Sequence, residues 1–417
     1  MSNVDGANRS PFTVLKHSQF RLLFLGSALA MVAFGMMQVV QGVVAFELTG
    51  KNGAVGFVSL GQGISMLFLS PVGGALSDRV SKRRMLVLSQ ACIGIMFGVI
   101  SVLVITGAIT IWLLAGCTLI LGCMFAMMGP TRQAWIGDLL TGPQLSHGVA
   151  LQQLMMNATR IVGPLIAGAL LTLSFVGTGG VYLAMAGIFV VVVAVLALMQ
   201  ATPARKKAVP TSIAGDLKAG VHYIWTTPEV RLLTLTFAGV VLAGFSYQTI
   251  LPGYLENALG HPAKQLSLLF STMAVGGIIT TLYLSSRPSL PPTSLMFAFG
   301  AALAGAILLL AFAPGFIAAL LVSALVGATS SGFQMLNNVN LMQLTKPEYF
   351  GRVMSVTMMA FGLNAIVAFP VGLIADQVGE RATLAGLGCI CFAVVATGFL
   401  ASTRIAFRPT AVAAPEA

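Results

Sequence analysis

Twelve stretches of this chain stay apolar for about 20 residues or more, the length an α-helix needs to cross the roughly 30 Å hydrocarbon core of a bilayer. They lie near 20–47, 53–76, 85–106, 109–129, 150–174, 179–200, 231–256, 266–285, 294–313, 315–336, 353–375 and 382–403. Outer-membrane strands alternate lipid-facing and lumen-facing residues, so a β-barrel does not produce such runs. Over 417 residues, 57% are hydrophobic and 8% charged, against about 25% charged in soluble domains. So little charge leaves a soluble surface uncovered, which excludes a soluble enzyme, a nucleic-acid-binding domain and a disordered chain. The fold class expected is an all-α membrane protein.

The net charge of +11 reads as loop charge. Basic residues concentrate in cytoplasmic loops. With the N-terminus inside, the inner segments hold seventeen Lys and Arg, from Arg9 to Arg408, and the outer loops hold three, Lys51, Lys264 and Arg381. Arg132 and Arg160 lie at or within helices on the inner side. Both termini are then cytoplasmic, which an even number of spans requires. No cleavable leader is expected, because the chain is polar to about Gln19 and the first apolar run is too long for one. Cys92, Cys117, Cys123, Cys389 and Cys391 all fall within apolar runs and are expected to pack as small residues. No His or Cys constellation suggests a metal, and no cofactor is expected.

The longest polar break runs from Ala201 to about Glu229. It divides the chain into 1–200, a linker 201–229, and 230–417, with six spans on each side. Within the linker, Ile213, Leu217, Val221, Ile224 and Trp225 recur at helical spacing, predicting an amphipathic helix on the inner membrane surface. The halves also echo each other. Pro143 precedes the fifth span and Pro347 the eleventh, while Pro164 and Pro370 fall inside them. Two pseudo-symmetric six-helix bundles with a site between them are a secondary-transporter plan.

The most specific string is Gly74-Ala-Leu-Ser-Asp-Arg-Val-Ser-Lys-Arg-Arg84, between spans two and three. It places the Asp78 carboxylate at the membrane edge, followed by four cations. An ordinary stop-transfer loop explains the cations but not the acid beside Gly-x-Leu. The string resembles the inner loop motif of the major facilitator superfamily, Gly-x-Leu-x-Asp-Arg-x-Gly-Arg-Lys, with Ser81 where that pattern has Gly. The resemblance implies the major facilitator fold and a conformational latch made by Gly74, Asp78, Arg79 and Arg83. Asp78 would face the start of span eleven near Gly351-Arg352. A helix N-terminus stabilises a carboxylate by about 0.3–1 kcal/mol, a bias suited to a switch. A second Gly-x-Ile-x-Asp echo ends at Asp376 on the outer side and reads as structural.

Gly163, Pro164 and Gly168 in span five resemble the superfamily's antiporter motif, Gly-Pro-x-x-Gly-Gly, with Ala167 in place of one Gly. Ordinary small-residue helix packing is the competing reading. Gly129-Pro-Thr-Arg-Gln-Ala-Trp135, Pro143, Arg160 and Glu348-Tyr-Phe-Gly-Arg-Val-Met354 resemble the branch of macrolide efflux proteins and enterobactin exporters, the transmembrane secretion effectors.

Ionisable groups at membrane depth are costly and mark candidates for function. Arg160 lies inside span five. Arg132 and Asp138 lie near the inner end of span four, paired with each other or with the loop of Asp78. Glu47 and Glu256 close the outer ends of spans one and seven, where solvated helix-end carboxylates are the simpler reading. These five are the candidates for coupling or charge relay. No carboxylate sits mid-span; the polar groups there are neutral. Gln38, Gln41, Gln248, Gln334, Asn338 and Asn364 are the candidates to line a substrate cavity, with inter-helix hydrogen bonds as the alternative.

The expected activity is proton-coupled export of a small, moderately apolar molecule, a drug or siderophore, by alternating access. Substrate, protons and the bilayer are the partners, nucleic acid is not, and a monomer is expected. By form, the chain suits a bacterial inner membrane. No Gly-x-x-x-x-Gly-Lys-Ser/Thr string supports direct ATP drive, and no nucleophile–base or metal cluster supports an enzyme. An importer of the same fold and a non-transporting scaffold are the alternatives.

Overall fold

Why the chain is helical throughout follows from its surroundings. In lipid every backbone N–H and C=O must be satisfied within the protein, and a helix does so within one segment. A computed structural model describes residues 11–79, 81–140, 143–173, 175–200, 213–285 and 293–405. All regular structure among these residues is helical. The helices are α1 (Ser18–Thr49), α2 (Asn52–Arg79), α3 (Lys82–Ile105), α4 (Ile111–Leu139), α5 (Pro143–Thr172) and α6 (Gly177–Ala197). After the linker come α7 (Ile213–Thr226) and α8 (Pro228–Gly244).

The seventh span then loses its regular ladder. A 3₁₀ turn (Ser246–Thr249), one helical turn α9 (Leu251–Gly253) and a π turn (Tyr254–Ala258) follow. The chain ends with α10 (Leu266–Ser285), α11 (Thr293–Ala311), α12 (Phe316–Leu344), α13 (Pro347–Val378) and α14 (Glu380–Ser402). Eleven of the described helices are long and apolar enough to cross a membrane. In α5 only Val162–Thr172 is uniformly apolar. Yet α5 is 30 residues long, about 45 Å at 1.5 Å per residue, and its first half carries Gln152, Gln153, Asn157 and Arg160.

The helix ends differ from the apolar runs in instructive ways. The fourth helix continues past Gly129-Pro130 to Leu139, ten residues beyond the apolar run that ends near 129. α5 and α13 start at Pro143 and Pro347, before the apolar runs. Proline suits a first helical position, where its missing N–H would lack a partner anyway. Both helices also carry an internal proline, Pro164 and Pro370.

By packing, the described chain divides into two units. One holds 11–49 and 64–200, the other 50–63 and 213–405. The division cuts through α2, whose first turns group with the second unit. In the first unit, α3 packs on α6 through Phe97 and Phe189, whose rings meet edge-on at 5.5 Å, and Ser101 Oγ donates to the Gly179 carbonyl at 2.8 Å. The opposite face of α3 shows Leu88, Ile95 and Val102, all exposed. A helix apolar on both faces is one whose outer face meets lipid. In the second unit, α10 and α12 cross at Gly276 and Gly327. A Cβ on Gly276 would stand 1.9 Å from the Ala324 carbonyl oxygen, and one on Gly327 1.7 Å from that of Met273. Backbone contact this close is the small-residue packing of membrane helices.

α7 differs in part from the surface helix predicted. Gly220 abuts Arg352 at the start of α13, Ile224 is buried, and Tyr223 stacks on Tyr349 with ring centroids 4.4 Å apart. Val221 and Trp225 are exposed. One face therefore packs on protein, and the adjoining stripe remains apolar and open.

Candidate transport site

In the first unit, the loop between α2 and α3 anchors itself through its cations. Lys82 forms an ion pair with Asp138 in the last turn of α4, and both side chains are largely buried. Arg83 donates to the Ala197 carbonyl at the end of α6. Of the two pairings expected for Asp138, the one with this loop is present. Arg132, one helical turn and a half earlier on α4, is buried, and its Nη2 has no hydrogen-bond partner among the described residues. The side chains of Asp78, Arg79 and Arg160, and the surroundings of Gly74, lie outside the described residues.

The Gly163-Pro164 bend is a point of helix contact. A Cβ on Gly163 would stand 2.7 Å from Gly35 Cα and 2.8 Å from the Val32 carbonyl oxygen, so α5 touches the backbone of α1 there. Pro164 packs on the same residue, with its Cδ 3.2 Å from where a Gly35 Cβ would sit. Gly168 lies one turn further on, partly exposed. Also on α1, Gln38 is exposed and Gln41 is buried. Glu47 is exposed near the end of that helix.

In the second unit, Asn364 is committed to the broken seventh span. Its Nδ2 donates to the Val241 carbonyl and to Ser246 Oγ, each at 2.9 Å. The Val241 carbonyl still accepts from the Phe245 N–H at 3.2 Å, and the amide from α13 adds a second donor where the helix ends. Gln248 lies within the break, partly exposed, and Glu256 on the π turn is exposed. Gln334 and Asn338 on α12 are four residues apart and share a face. Both are partly exposed, and the Asn338 Oδ1 is buried without a partner among the described residues. Neighbouring Asn337 is fully buried, with neither amide atom partnered among the described residues. A cavity of about 560 Å³ lies elsewhere, at α7, the start of α8 and the α12–α13 turn, lined by His222, Tyr223, Glu229, Lys346 and Tyr349. None of the six cavity candidates lines it.

Against known proteins, residues 9–412 match the family model described as transmembrane secretion effector. The chain belongs to that family. This secretion effector is 26% identical over 379 residues to the staphyloferrin A transporter of Staphylococcus aureus, covering 90% of this chain and 92% of the relative. It is 26% identical over 351 residues to the enterobactin exporter of Escherichia coli O1:K1, covering 81% of this chain and 80% of the relative. In fold it resembles a bacterial homolog of the human lysosomal transporter Spinster, with a TM-score of 0.77 at 13% identity over 95% of this chain and 98% of the other. A nucleoside transporter gives 0.75 at 13% identity over 92% and 99%. The effector is thus a multi-pass membrane transporter of small molecules with the major facilitator fold.

The structure of this effector also brings forward residues that the sequence did not single out. Gly35 is the partner of Gly163, but nothing in its own neighbourhood marks it among 46 glycines. Glu380, at the start of α14, is a buried carboxylate. It accepts from Asn52 Nδ2 at 2.9 Å and Asn257 Nδ2 at 2.6 Å. Next to it, Arg381 donates to the carbonyls of Ala311 and Ala258 at 3.0 and 3.3 Å. The Gly372–Asp376 echo was the sequence signal for this cluster.

Proposed function

We propose that this chain is a secondary active exporter of a small, moderately apolar molecule of the siderophore type, driven by proton entry. It works by alternating access between two six-helix bundles, 1–200 and 230–417, joined by the linker 201–229. It is monomeric, not an enzyme, and sits in a bacterial inner membrane with both termini cytoplasmic. The names of the relatives, a staphyloferrin A transporter and an enterobactin exporter, favour that cargo class.

The observation that carries the reading is the interrupted seventh span with Asn364 clasping it. Transporters of this plan build their sites where a spanning helix is discontinuous, because freed backbone groups and nearby amides can serve a ligand. Gln248 in the break, Gln334 and Asn338 on α12, and Gln38 and Gln41 on α1 are the polar groups assigned to the cargo cavity. Gln38 supports this from α1. It is exposed about three turns from the end of the helix, where lipid tails would leave its amide unmatched and an aqueous cavity would not. Arg132, Asp138 and Arg160 are the charge-relay group. Glu47 and Glu256, both exposed, act as helix-end carboxylates. The loop of Gly74, Asp78, Arg79 and Arg83 is the inner latch.

The test is accumulation of labelled siderophores, macrolides and dyes in cells with and without the protein, before and after a protonophore. Lower accumulation that disappears with the proton gradient is the expected result. Higher accumulation would make the chain an importer. Export indifferent to the gradient would remove proton coupling.

A further inference from the structure

Asp376 lies in the last turn of α13, yet its carboxylate caps a different helix. Oδ1 accepts the Asn52 N–H at 2.7 Å and Oδ2 accepts the Gly53 N–H at 2.8 Å. These are the first two donors of α2, which have no partner within their own helix. A carboxylate at the C-terminal end of its own helix is disfavoured by that helix's dipole, and one at another helix's N-terminus is favoured. Asp376 is therefore well placed only while α2 is docked.

The seam below continues the contact. A Cβ on Gly372 would stand 2.5 Å from the Asn52 carbonyl oxygen. One on Gly56 would stand 2.5 Å from that of Ala368, and one on Gly63 2.9 Å from that of Gly362. The Asn52 side chain is buried and enters a gap left by Gly253 in the broken span, where a Cβ would lie 2.3 Å from its Oδ1. There its Nδ2 meets Glu380.

We propose that Asp376, Asn52 and Glu380 form an outer latch that closes the external face of the transporter and breaks when that face opens. The inference rests on the alternating-access reading above. Asp376 is a positioning residue in it, acting through α2 rather than on cargo. The arrangement is reciprocal to the one the sequence assigns to Asp78. There the resemblance implies that an acid at the inner end of α2 would face the start of α13. Here an acid at the outer end of α13 holds the start of α2. One helix pair would thus carry both latches, one for each state.

The experiment uses the full-length protein in membranes, with the five native cysteines replaced and Val55→Cys as reporter. Val55 is buried in the first turn of α2, so an impermeant maleimide added outside labels it only when the seam opens. Asp376→Asn and Asn52→Ala should each raise the labelling rate about tenfold, the shift expected for losing a charge-assisted hydrogen bond. Asp376→Glu, which keeps the carboxylate, should restore a rate near that of the parent. Unchanged labelling in both disruptive variants, whether high or undetectable, overturns the latch. It would leave Asp376 as a static cap, visible only as a lower melting temperature. Because labelling needs no cargo, increased labelling in the variants alongside absent export by the parent protein would retain the latch and remove the export assignment.

Discussion

Replacing Gly163 with Ala tests whether the Gly-Pro bend of α5 is a fixed contact with α1. The added Cβ would stand 2.7 Å from Gly35 Cα, 2.8 Å from the Val32 carbonyl oxygen and 3.0 Å from the Gly35 carbonyl carbon. Relaxed contacts between carbons need about 3.5–4.0 Å, so the two helices must separate by about 1 Å. All three atoms are backbone and cannot rotate away. Overpacking of this kind costs about 1–3 kcal/mol. Against that, Ala in a helix interior is favoured over Gly by about 1 kcal/mol. Gly98 on α3 supplies the control, because a Cβ there meets nothing within 4 Å. Gly98→Ala receives the propensity gain alone. The difference between the two variants is then about 1–3 kcal/mol in favour of Gly98→Ala. The assay is thermal unfolding of each purified protein in the same detergent, with export measured in parallel. Gly163→Ala melting at or above Gly98→Ala would refute the close-contact reasoning. Lost export with unchanged melting would show that the bend serves movement instead of packing.

Three further outcomes are expected. Asp78→Asn should reduce export strongly while leaving expression and melting near the parent's, and full export from a well-folded variant would remove the inner latch. Lys82→Ala strands the Asp138 carboxylate in a largely buried position, which costs about 3 kcal/mol. The paired change Lys82→Met with Asp138→Leu should recover most of that in a melting experiment, as an ion pair needs both partners to matter. Asn364→Leu removes two donors from the broken span and should cost about 1–3 kcal/mol. Its export should fall with it, and a Leu variant of parental stability would show that the break is held by other groups.

The spans and their order were legible because lipid leaves only one solution for a long apolar segment, whatever its neighbours. The loop of Lys82 and Arg83 was legible as a charged inner motif, and Asp138 as a candidate partner for it. The break after Gly244 was not. The span reads as continuous over 231–256, although Ser246, Tyr247, Gln248 and Thr249 are polar and Pro252 lacks a helix N–H. What stabilises it is Asn364, 123 residues away in the chain at the Val241 carbonyl. Asn364 was read from sequence as lining a cavity, and the structure gives its amide protons to that break. Asp376 was read as structural, with no partner named for it. Its partner is the backbone of α2, which no side-chain pattern announces.

Sequence alone determined that this chain is helical, spans a membrane many times and belongs with the major facilitator transporters. Hydropathy and charge placement carry the first two conclusions, and the resemblance of one local motif carries the third, without tertiary information. Tertiary structure alone decided which glycines are contacts, where the seventh span loses its ladder, and which helix Asp376 caps. The physical reason is that in a uniformly apolar chain every helix face looks alike. Specificity then falls to backbone approach and to a few amides and carboxylates, whose partners lie hundreds of residues away.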